Sequence, residues 1–259
     1  MWQPDGWGDR ARIGILTPDT DVVPESEFSA MAPQGVSVHA TRVPFHGRTA
    51  AGLEEPIALA GVRAFAESPR LDEAAERLAA APLDAITYAF TSSSYLGGAG
   101  EDGALRARLE KKTHGIPVVT ACAAALAALK ALDARRLTIV SPPWFSETLT
   151  QKAAEFFTRH KFEVLFTGAM PLKGAPDVAP GLVYAWVRRN IPPRADAVFI
   201  GGNGFRAIGA IQALEEDLRR PIVTANQGLF WCALRRAGVR ATVSGYGQLF
   251  AAELREDDR

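Results

Sequence analysis

The sequence predicts an α/β protein of two pseudo-symmetric lobes, each a four-stranded parallel sheet flanked by helices, with the site in the cleft between them. Three observations predict this architecture. Short, almost continuously apolar runs alternate with helical stretches, as in parallel sheets covered on both faces. The pattern starts again near residue 135. Segments of the first half then recur in the same order in the second half.

Composition limits the class of protein. The chain has 259 residues, of which 47% are hydrophobic, enough to bury a core. Its 29 basic and 29 acidic residues balance, so we expect no nucleic-acid or anionic-membrane partner held by bulk electrostatics. No run approaches the roughly 20 apolar residues of a membrane span, and the N-terminal residues lack the apolar segment of a secretory signal. The two cysteines, Cys122 and Cys232, fit a reducing compartment, so we expect a cytoplasmic protein.

Four strands are predicted in the first half of the chain. They are short and apolar, rich in β-branched residues, and end at turn-forming residues. They span residues 12–18, 36–43, 84–90 and 116–120. Apolar residues at helical spacing predict a helical stretch over about 53–80, broken near Ser68 and Pro69, and an Ala/Leu-rich helix over 121–132.

The second half repeats this pattern. Strands are predicted over residues 137–143, 162–170, 196–202 and 221–224, and helices over 146–160, 182–190, 204–219 and 227–237. IGILTP pairs with LTIVSP, DAITYAF with DAVFIGG, and PVVTA with PIVTA. We interpret this as an internal repeat; two unrelated βαβ stretches with generic strand sequences are the alternative.

The repeat sets the predicted lobe boundaries. The first lobe spans residues 1–134 and is joined by the C-terminal segment 240–259; the second spans 135–239. Duplicated α/β lobes of this size often pair, so a homo-oligomer is an open expectation.

The loops after the strands are the predicted ligand site, because ligands bind beyond the carboxyl ends of parallel strands. These loops contain the sequences TPDTD (17–21), FTSSSY (90–95), SPPW (141–144) and GGNGFR (201–206). Hydroxyls and glycine-rich backbone at the start of a helix suit a carboxylate or phosphate. Ordinary turns and helix caps are the alternative.

Other common motifs are absent from the sequence. GGNGFR does not have the spacing of a dinucleotide fingerprint, and GAGEDG lacks the lysine of a P-loop. No His, Cys and Asp cluster has the spacing of metal ligands, so no metal is expected. Of the four histidines, only His46 follows a strand end from which it could reach the cleft.

Together these segments resemble the aspartate/glutamate racemase superfamily, and within it the branch of maleate cis–trans isomerase and arylmalonate decarboxylase. The resemblance covers nearly the whole chain. It is carried by the order of IGILTP, YAFTSSSY, PVVT, RRLTIVSPP, DAVFIGGNGFRAIGAIQALEEDL, PIVTANQGLFWCALRRAG and GYGQLF. It implies two lobes around a carboxylate-binding cleft, a small carboxylate substrate, and no metal or organic cofactor.

The sequence departs from this family at the positions of its cysteines. In racemases and the isomerase one cysteine follows a strand in each lobe, and the decarboxylase keeps only the second. The resemblance places these positions at Phe90 and Gly202, which cannot ionise. Racemisation by two bases needs an ionisable group on each face of the substrate. Cysteine-dependent chemistry is therefore disfavoured.

An anion-binding frame remains. We expect five residues to bind substrate: Thr91, Ser92, Gly202, Asn203 and Arg206. Phe90 and Trp144 are the expected apolar walls. The resemblance places Pro143, next to Trp144, where the family often has a tyrosine. Decarboxylation requires less of a thiol, since an apolar pocket and hydrogen-bond donors for the enediolate can drive it.

Other groups could supply the proton. Asp19 and Asp21 are candidate acids or bases if desolvated, although PDTD is also strong turn chemistry. Tyr95 is a lesser catalytic candidate, and Lys173 a candidate contact for a second substrate anion. Cys122 and Cys232 are expected to be packing residues.

The sequence thus favours a cofactor-independent enzyme that forms a carbanion or enediolate from a small mono- or dicarboxylate, above all a decarboxylase. A cis–trans isomerase or racemase-like enzyme with other acid/base groups is one alternative. A non-catalytic carboxylate-binding protein is the other.

Overall fold

Two four-stranded parallel sheets with the same strand order form the frame of the molecule. The structure is a computed structural model that describes residues 6–45, 56–171 and 178–258. The first sheet has the order β2-β1-β3-β4 and the second the order β6-β5-β7-β8. The strands are β1 (Ala11–Pro18), β2 (Val36–Val43), β3 (Ala85–Tyr88), β4 (Val118–Thr120), β5 (Arg136–Ser141), β6 (Glu163–Ala169), β7 (Ala197–Ile200) and β8 (Ile222–Thr224). The predicted fold of two similar α/β lobes is confirmed.

Helices cover both faces of the sheets. They are α1 (Val23–Met31), α2 (Leu59–Ala66), α3 (Arg70–Leu78), α4 (Thr91–Lys112), α5 (Ala121–Ala131), α6 (Glu147–Arg159), α7 (Pro180–Asn190), α8 (Ile208–Leu218) and α9 (Ala225–Arg236). Short 3₁₀ turns follow at Leu249–Ala251 and Glu256–Asp258. No helix among the described residues is long and apolar enough to cross a bilayer.

Two helices were not predicted from the sequence. Helix α1 buries Pro24, Glu27, Phe28 and Met31, and the charged Glu27 interrupts what would otherwise be an apolar face. Helix α4 starts with hydroxyl residues and contains several glycines, of which Gly98, with a φ of 75°, interrupts it. The helical stretch predicted over 53–80 forms α2 and α3, separated at the predicted break near Ser68 and Pro69; its first three residues lie outside the described residues.

The two lobes share one buried core. Helix α9 packs against α5 and against β3 and β4 of the first sheet, while α4 packs against α6. The C-terminal segment contacts both predicted lobes, because the Asp258 carboxylate pairs with Lys130 of α5 at 2.9 Å and the Gln248 N–H donates to Glu215 of α8 at 2.9 Å. The assignment of this segment to the first lobe stays a prediction.

Gly14 allows helix α3 to lie close to the first sheet. It pairs with Ile86 in the middle of β1. A Cβ at Gly14 would lie 2.8 Å from Leu83 Cδ1 and 3.1 Å from Leu78 Cδ2, closer than packed carbon atoms approach. Leu78 and Leu83 can therefore pack on β1 only because position 14 has no side chain.

We expect Gly14→Ala to lower the free energy of unfolding by about 1–3 kcal/mol, because the added methyl overpacks the core. The matched control is Gly103→Ala in α4, where a Cβ would contact nothing within 4 Å. That change should stabilise the protein by up to about 1 kcal/mol through helix propensity. Urea unfolding of both variants gives the comparison, and equal effects would contradict the packing argument.

Candidate functional site

The loops after β1, β3, β5 and β7 meet in a gap between the lobes. The gap measures about 30 Å³, room for about one or two water molecules. Its lining comes from both lobes and includes Pro18, Thr20, Asp21, Phe45, Ile57, Phe90, Thr91, Ser92, Trp144, Phe145, Gly202, Asn203 and Gly204. The loops after equivalent strands of the two repeats thus surround the same gap.

A second, larger cavity adjoins the gap. It measures about 730 Å³ and shares Thr20, Asp21, Trp144 and Gly204 with the gap. Helix α1 and the start of α8 form its sides, and Glu27, Arg206 and Tyr246 contribute polar groups. Because the two spaces share these residues, a molecule larger than the gap could extend from the gap into this cavity.

The structure brings most of the predicted site residues together. Seven of them line the gap: Asp21, Phe90, Thr91, Ser92, Trp144, Gly202 and Asn203. Arg206 lines the larger cavity. Asp19 is exposed, and its Oδ1 accepts a hydrogen bond from the Phe45 N–H at 3.2 Å, as expected of a loop residue. Lys173 and His46 lie outside the described residues.

The N-terminus of α4 faces the gap. Phe90 precedes the helix and provides no side-chain cap; instead, the Thr91 N–H donates to Asn203 Oδ1 at 3.0 Å across the lobes. The Thr91 hydroxyl is buried and has no hydrogen-bond partner among the described residues. A helix N-terminus attracts negative charge. Thr91 and Ser92 therefore line the end of the gap where negative charge would be favoured, which we call the proposed anion-binding end.

The other two hydroxyls of the TSSS sequence turn away from the gap. Ser93 Oγ lies 3.1 Å from the Tyr88 hydroxyl and donates to the Phe90 carbonyl oxygen. Ser94 Oγ donates to Asp102, which also accepts from Thr120 at 2.6 Å. These bonds fix the first turn of α4 on the sheet rather than contact a ligand.

Two aromatic side chains bound the gap on opposite sides. The Phe90 ring packs against Phe65 and Phe45, with ring centroids 4.3 and 5.3 Å apart. Trp144, after β5, packs edge-to-face on Phe205 with centroids 5.9 Å apart. Both rings are more than nine-tenths buried. They exclude water and lower the local polarity beside the proposed anion-binding end.

Gly202 occupies the turn after β7 in a conformation that favours glycine. Its φ is +86°, and a Cβ there would lie 2.7 Å from Pro142 Cγ. The proline ring after β5 thus fills the space that a side chain at position 202 would need. The backbone of this turn is therefore the part of residue 202 available to the gap.

Asp21 lies at the boundary of the gap and the larger cavity. Its side chain is buried, and its Oδ1 accepts a hydrogen bond from the Val23 N–H at 3.0 Å. Its Oδ2 lies against Gly204 of the other lobe, 2.8 Å from where a Cβ would be. The Arg42 guanidinium donates to the Asp21 carbonyl oxygen and fixes the loop. Asp21 is the only one of the two predicted acids, Asp19 and Asp21, whose side chain lines these cavities.

Glu27 and Asn226 are buried polar residues beside the cavities that the sequence analysis missed. Glu27 Oε1 accepts hydrogen bonds from the N–H groups of Ala207 and Ile208, at 2.8 and 3.1 Å, at the start of α8. Its Oε2 accepts from Asn226 Nδ2 at 2.8 Å. Burial raises the pKa of Glu27 from its usual 4.5 to about 7, and the nearby charge of Asp21 adds to the rise. The one sequence signal is that residues 24, 27, 28 and 31 share the buried face of α1.

Tyr95 and the cysteines lie outside the lining of these two cavities. The Tyr95 ring packs on Phe145 and Phe156, with centroids 6.3 and 5.8 Å apart, and burial raises its pKa well above 10. The Cys122 thiol is buried, 3.6 Å from the Thr91 carbonyl oxygen, and burial raises its pKa well above 9. Cys232 is buried in α9, and burial raises its pKa to about 11. All three groups keep their protons at neutral pH.

Metal ligands are not clustered in the described part of the chain. Within residues 6–45, 56–171 and 178–258, no group of three or more His, Cys, Asp or Glu side chains is placed to hold an ion.

Duplicated parallel sheets whose loops meet in one gap define a class of two-lobed α/β enzymes. The family model for arylmalonate decarboxylase matches residues 28–250. The chain belongs to the arylmalonate decarboxylase family, and the resemblance seen in the sequence is confirmed.

Individual relatives agree with this assignment. An arylmalonate decarboxylase of Bordetella bronchiseptica is 28% identical over 182 residues, which cover 68% of this chain and 75% of that protein. A maleate isomerase of Pseudomonas putida is 25% identical over 255 residues, which cover 93% and 97%.

Solved structures share the fold. Unliganded arylmalonate decarboxylase superposes with a TM-score of 0.75 at 23% identity, covering 93% of this chain and 99% of that one. The maleate isomerase Iso from Pseudomonas putida S16 gives a TM-score of 0.78 at 20% identity, covering 93% and 98%.

We expect Gly202→Cys to lower the free energy of unfolding by about 2–4 kcal/mol, from the clash with Pro142 and the unfavourable φ together. The double variant Gly202→Cys/Pro142→Ala removes the clash and should recover about half of that loss. Denaturant unfolding measures both. A single variant as stable as the wild type would show that a side chain fits at this position.

We expect the stability of the protein to fall as pH rises from 5 to 8, through Glu27. The folded chain binds this proton below about pH 7, whereas the unfolded chain binds it only below about 4.5. Folding is therefore favoured at the lower pH, and the wild type should lose about 2–3 kcal/mol relative to Glu27→Gln over this range. Unfolding free energies at pH 5, 6, 7 and 8 test this. Glu73→Gln, at an exposed position in α3, is the surface control.

Proposed function

We propose that the chain is a cofactor-independent lyase that decarboxylates a small dicarboxylate through an enediolate, without a catalytic thiol. The single observation that carries the proposal is the composition of the gap. A helix N-terminus with two hydroxyl residues, two aromatic walls and one buried carboxyl group surround the same small space. These are the three elements that such a reaction requires.

The retained carboxylate would bind at the N-terminus of α4. The Thr91 and Ser92 hydroxyls and the backbone around Gly202, all on the lining of the gap, would donate hydrogen bonds to it. As the C–C bond breaks, its electron pair moves into this carboxylate and forms an enediolate with a second negative charge. Donors held in place before the reaction stabilise that charge more than they stabilise the substrate.

The departing carboxylate would lie against Phe90 and Trp144. An apolar surrounding disfavours an ionised carboxylate and favours the neutral CO₂ that it becomes. The substrate then loses CO₂ at one side of its α-carbon while the charge collects at the other side. The apolar walls and the hydroxyl donors would therefore both favour breaking of the C–C bond.

Asp21 would supply the proton that completes the reaction. A protonated Asp21 transfers its proton to the α-carbon of the enediolate, and water restores the proton to Asp21 afterwards. Asp21 and Thr91 both line the gap, so the α-carbon would lie between them. The buried cysteines support a reaction without thiols, because both lie outside the lining of these two cavities.

The remainder of the substrate would extend into the larger cavity. A dicarboxylate exceeds the 30 Å³ of the gap, and the adjoining space beyond Asp21 and Trp144 measures about 730 Å³. Arg206, on the lining of that space, is a proposed contact for a further polar group of the substrate. Lys173 remains a prediction. A cytoplasmic location, suggested by two free thiols, is part of this proposal.

We expect Asp21→Asn to lower kcat for decarboxylation by about 10²–10⁴-fold, the usual effect of losing a general acid. Substituted malonates and maleate are incubated with the protein in D₂O and followed by NMR, so that a product deuterated at the α-carbon reports protonation. Asp19→Asn, in the same loop but outside the gap, should retain most of the activity. Asp9→Asn is the surface control.

The same experiment separates the alternatives. Conversion of maleate without CO₂ release would indicate an isomerase. Saturable binding of dicarboxylates with no turnover and no deuterium incorporation would indicate a non-catalytic binding protein. Full activity of Asp21→Asn would show that another group provides the proton.

A further inference from the structure

A chain of buried hydrogen bonds runs between the lobes beneath the gap. The Thr91 N–H donates to Asn203 Oδ1 at 3.0 Å, and Asn203 Nδ2 donates to Asn226 Oδ1 at 2.8 Å. Asn226 Nδ2 donates to the Asn203 carbonyl oxygen and to Glu27 Oε2, both at 2.8 Å. Glu27, Asn203 and Asn226 are each less than a tenth exposed. Water therefore does not replace any of these partners.

The direction of this chain is fixed at both ends by backbone N–H groups, which can only donate. At one end the Thr91 N–H requires an acceptor, so the Asn203 oxygen faces it and the Asn203 NH₂ faces Asn226. Asn226 must then accept on that side and donate on the other, toward Glu27.

At the other end of the chain, Glu27 receives donors from two sides. Asn226 donates to one carboxylate oxygen, and the N–H groups of Ala207 and Ile208 donate to the other. An ionised carboxylate accepts at both oxygens, whereas an amide has donors on one side. A carboxylate at position 27 is therefore the group that satisfies every bond in this chain.

We propose that Glu27 is a positioning residue that, by accepting at both oxygens, orients Asn226 and Asn203 so that Asn203 holds the Thr91 N–H at the proposed anion-binding end of the gap. The effect of Glu27 on turnover rests on the proposed function, whereas the effect of Glu27 on the Thr91 N–H does not. Glu27 acts through the two asparagines, since it lines the larger cavity and not the gap.

Replacement of Glu27 by glutamine introduces a conflict that the chain cannot remove. With its oxygen toward α8, the new amide NH₂ faces the NH₂ of Asn226. Rotation of Asn226 moves the conflict to Asn203, and rotation of Asn203 moves it to the Thr91 N–H. A buried donor without an acceptor is costly wherever it falls. Part of the cost therefore reaches the loops of Thr91 and Gly202, which line the gap from opposite lobes.

The test measures amide hydrogen exchange in the ¹⁵N-labelled full chain at about pH 8, where Glu27 is ionised. In Glu27→Gln the Thr91 N–H should exchange about tenfold faster or more than in the wild type, the effect of losing one buried hydrogen bond. The Val119 N–H, in β4 of the first sheet, should keep its rate. A purely structural role would accelerate both sites together.

The double variant Glu27→Gln/Asn203→Asp supplies the decisive comparison. It moves the carboxylate to the Thr91 end, where Asp at position 203 accepts from Thr91 and from a rotated Asn226, which in turn accepts from the glutamine but gives up its bond to the carbonyl oxygen of residue 203. Because Thr91 keeps an acceptor, we expect its exchange to slow by about threefold or more relative to Glu27→Gln, with part of the loss remaining. A double variant no better protected than Glu27→Gln, or an unchanged Thr91 rate in Glu27→Gln, would overturn the proposal.

Two controls keep the result interpretable. If Glu27→Gln alone does not fold, the double variant decides by itself: it should fold with protected Thr91, and its failure to fold would count against the proposal. Asp21→Asn should lower kcat by about 10²–10⁴-fold while leaving Thr91 exchange unchanged. Loss of Thr91 protection in a protein without decarboxylase activity would thus refute the proposed function and retain the role of Glu27.

Discussion

The Glu27 carboxylate joins the two lobes at the place where both contribute to the site. Its helix, α1, follows the first strand of the first lobe, and its donors are the N–H groups that begin α8 and the amide of Asn226. A buried charge is unfavourable unless it is hydrogen-bonded, and the positive end of a helix lowers that cost further. Because these donors belong to the other half of the chain, separating the lobes would leave the charge unsatisfied. The Glu27 bonds therefore add to the packing of α9 and α4 across the lobes, and link that docking to the geometry of the gap.

That docking gives the two lobes different parts in one site, although their folds are equivalent. The turn after β3 opens onto a helix N-terminus, with Phe90 held in an aromatic cluster. The equivalent turn after β7 carries Gly202, whose missing side chain makes room for Pro142. The first lobe thus presents hydroxyls and the Phe90 ring, and the second presents the Trp144 ring, backbone and Asn203. The repeated fold therefore places equivalent loops around the gap, and the sequence differences between the two copies make one part of its lining polar and another apolar.

Much of the fold could be predicted from the sequence, but only part of the site. The strands were found because apolar, β-branched runs are a local signal, and the repeat fixed their equivalence. Helix α4 escaped prediction because its serines and glycines resemble a loop. Glu27 and Asn226 escaped because their importance lies in partners far along the chain: Glu27 bonds to residues 180, 181 and 199 positions away. A glutamate on an otherwise apolar helix face is ordinary until those partners are known.

The two carboxyl groups of the larger cavity differ in their positions relative to the gap. Glu27 has the raised pKa that often marks a catalytic acid, yet both of its oxygens accept hydrogen bonds from the protein and its side chain lines the larger cavity alone. Asp21, with one oxygen accepting from the Val23 N–H, lines both cavities. Geometry precedes pKa in assigning an acid. Burial accounts for the raised pKa of Glu27, whereas the position of Asp21 on both linings makes it the proposed proton donor.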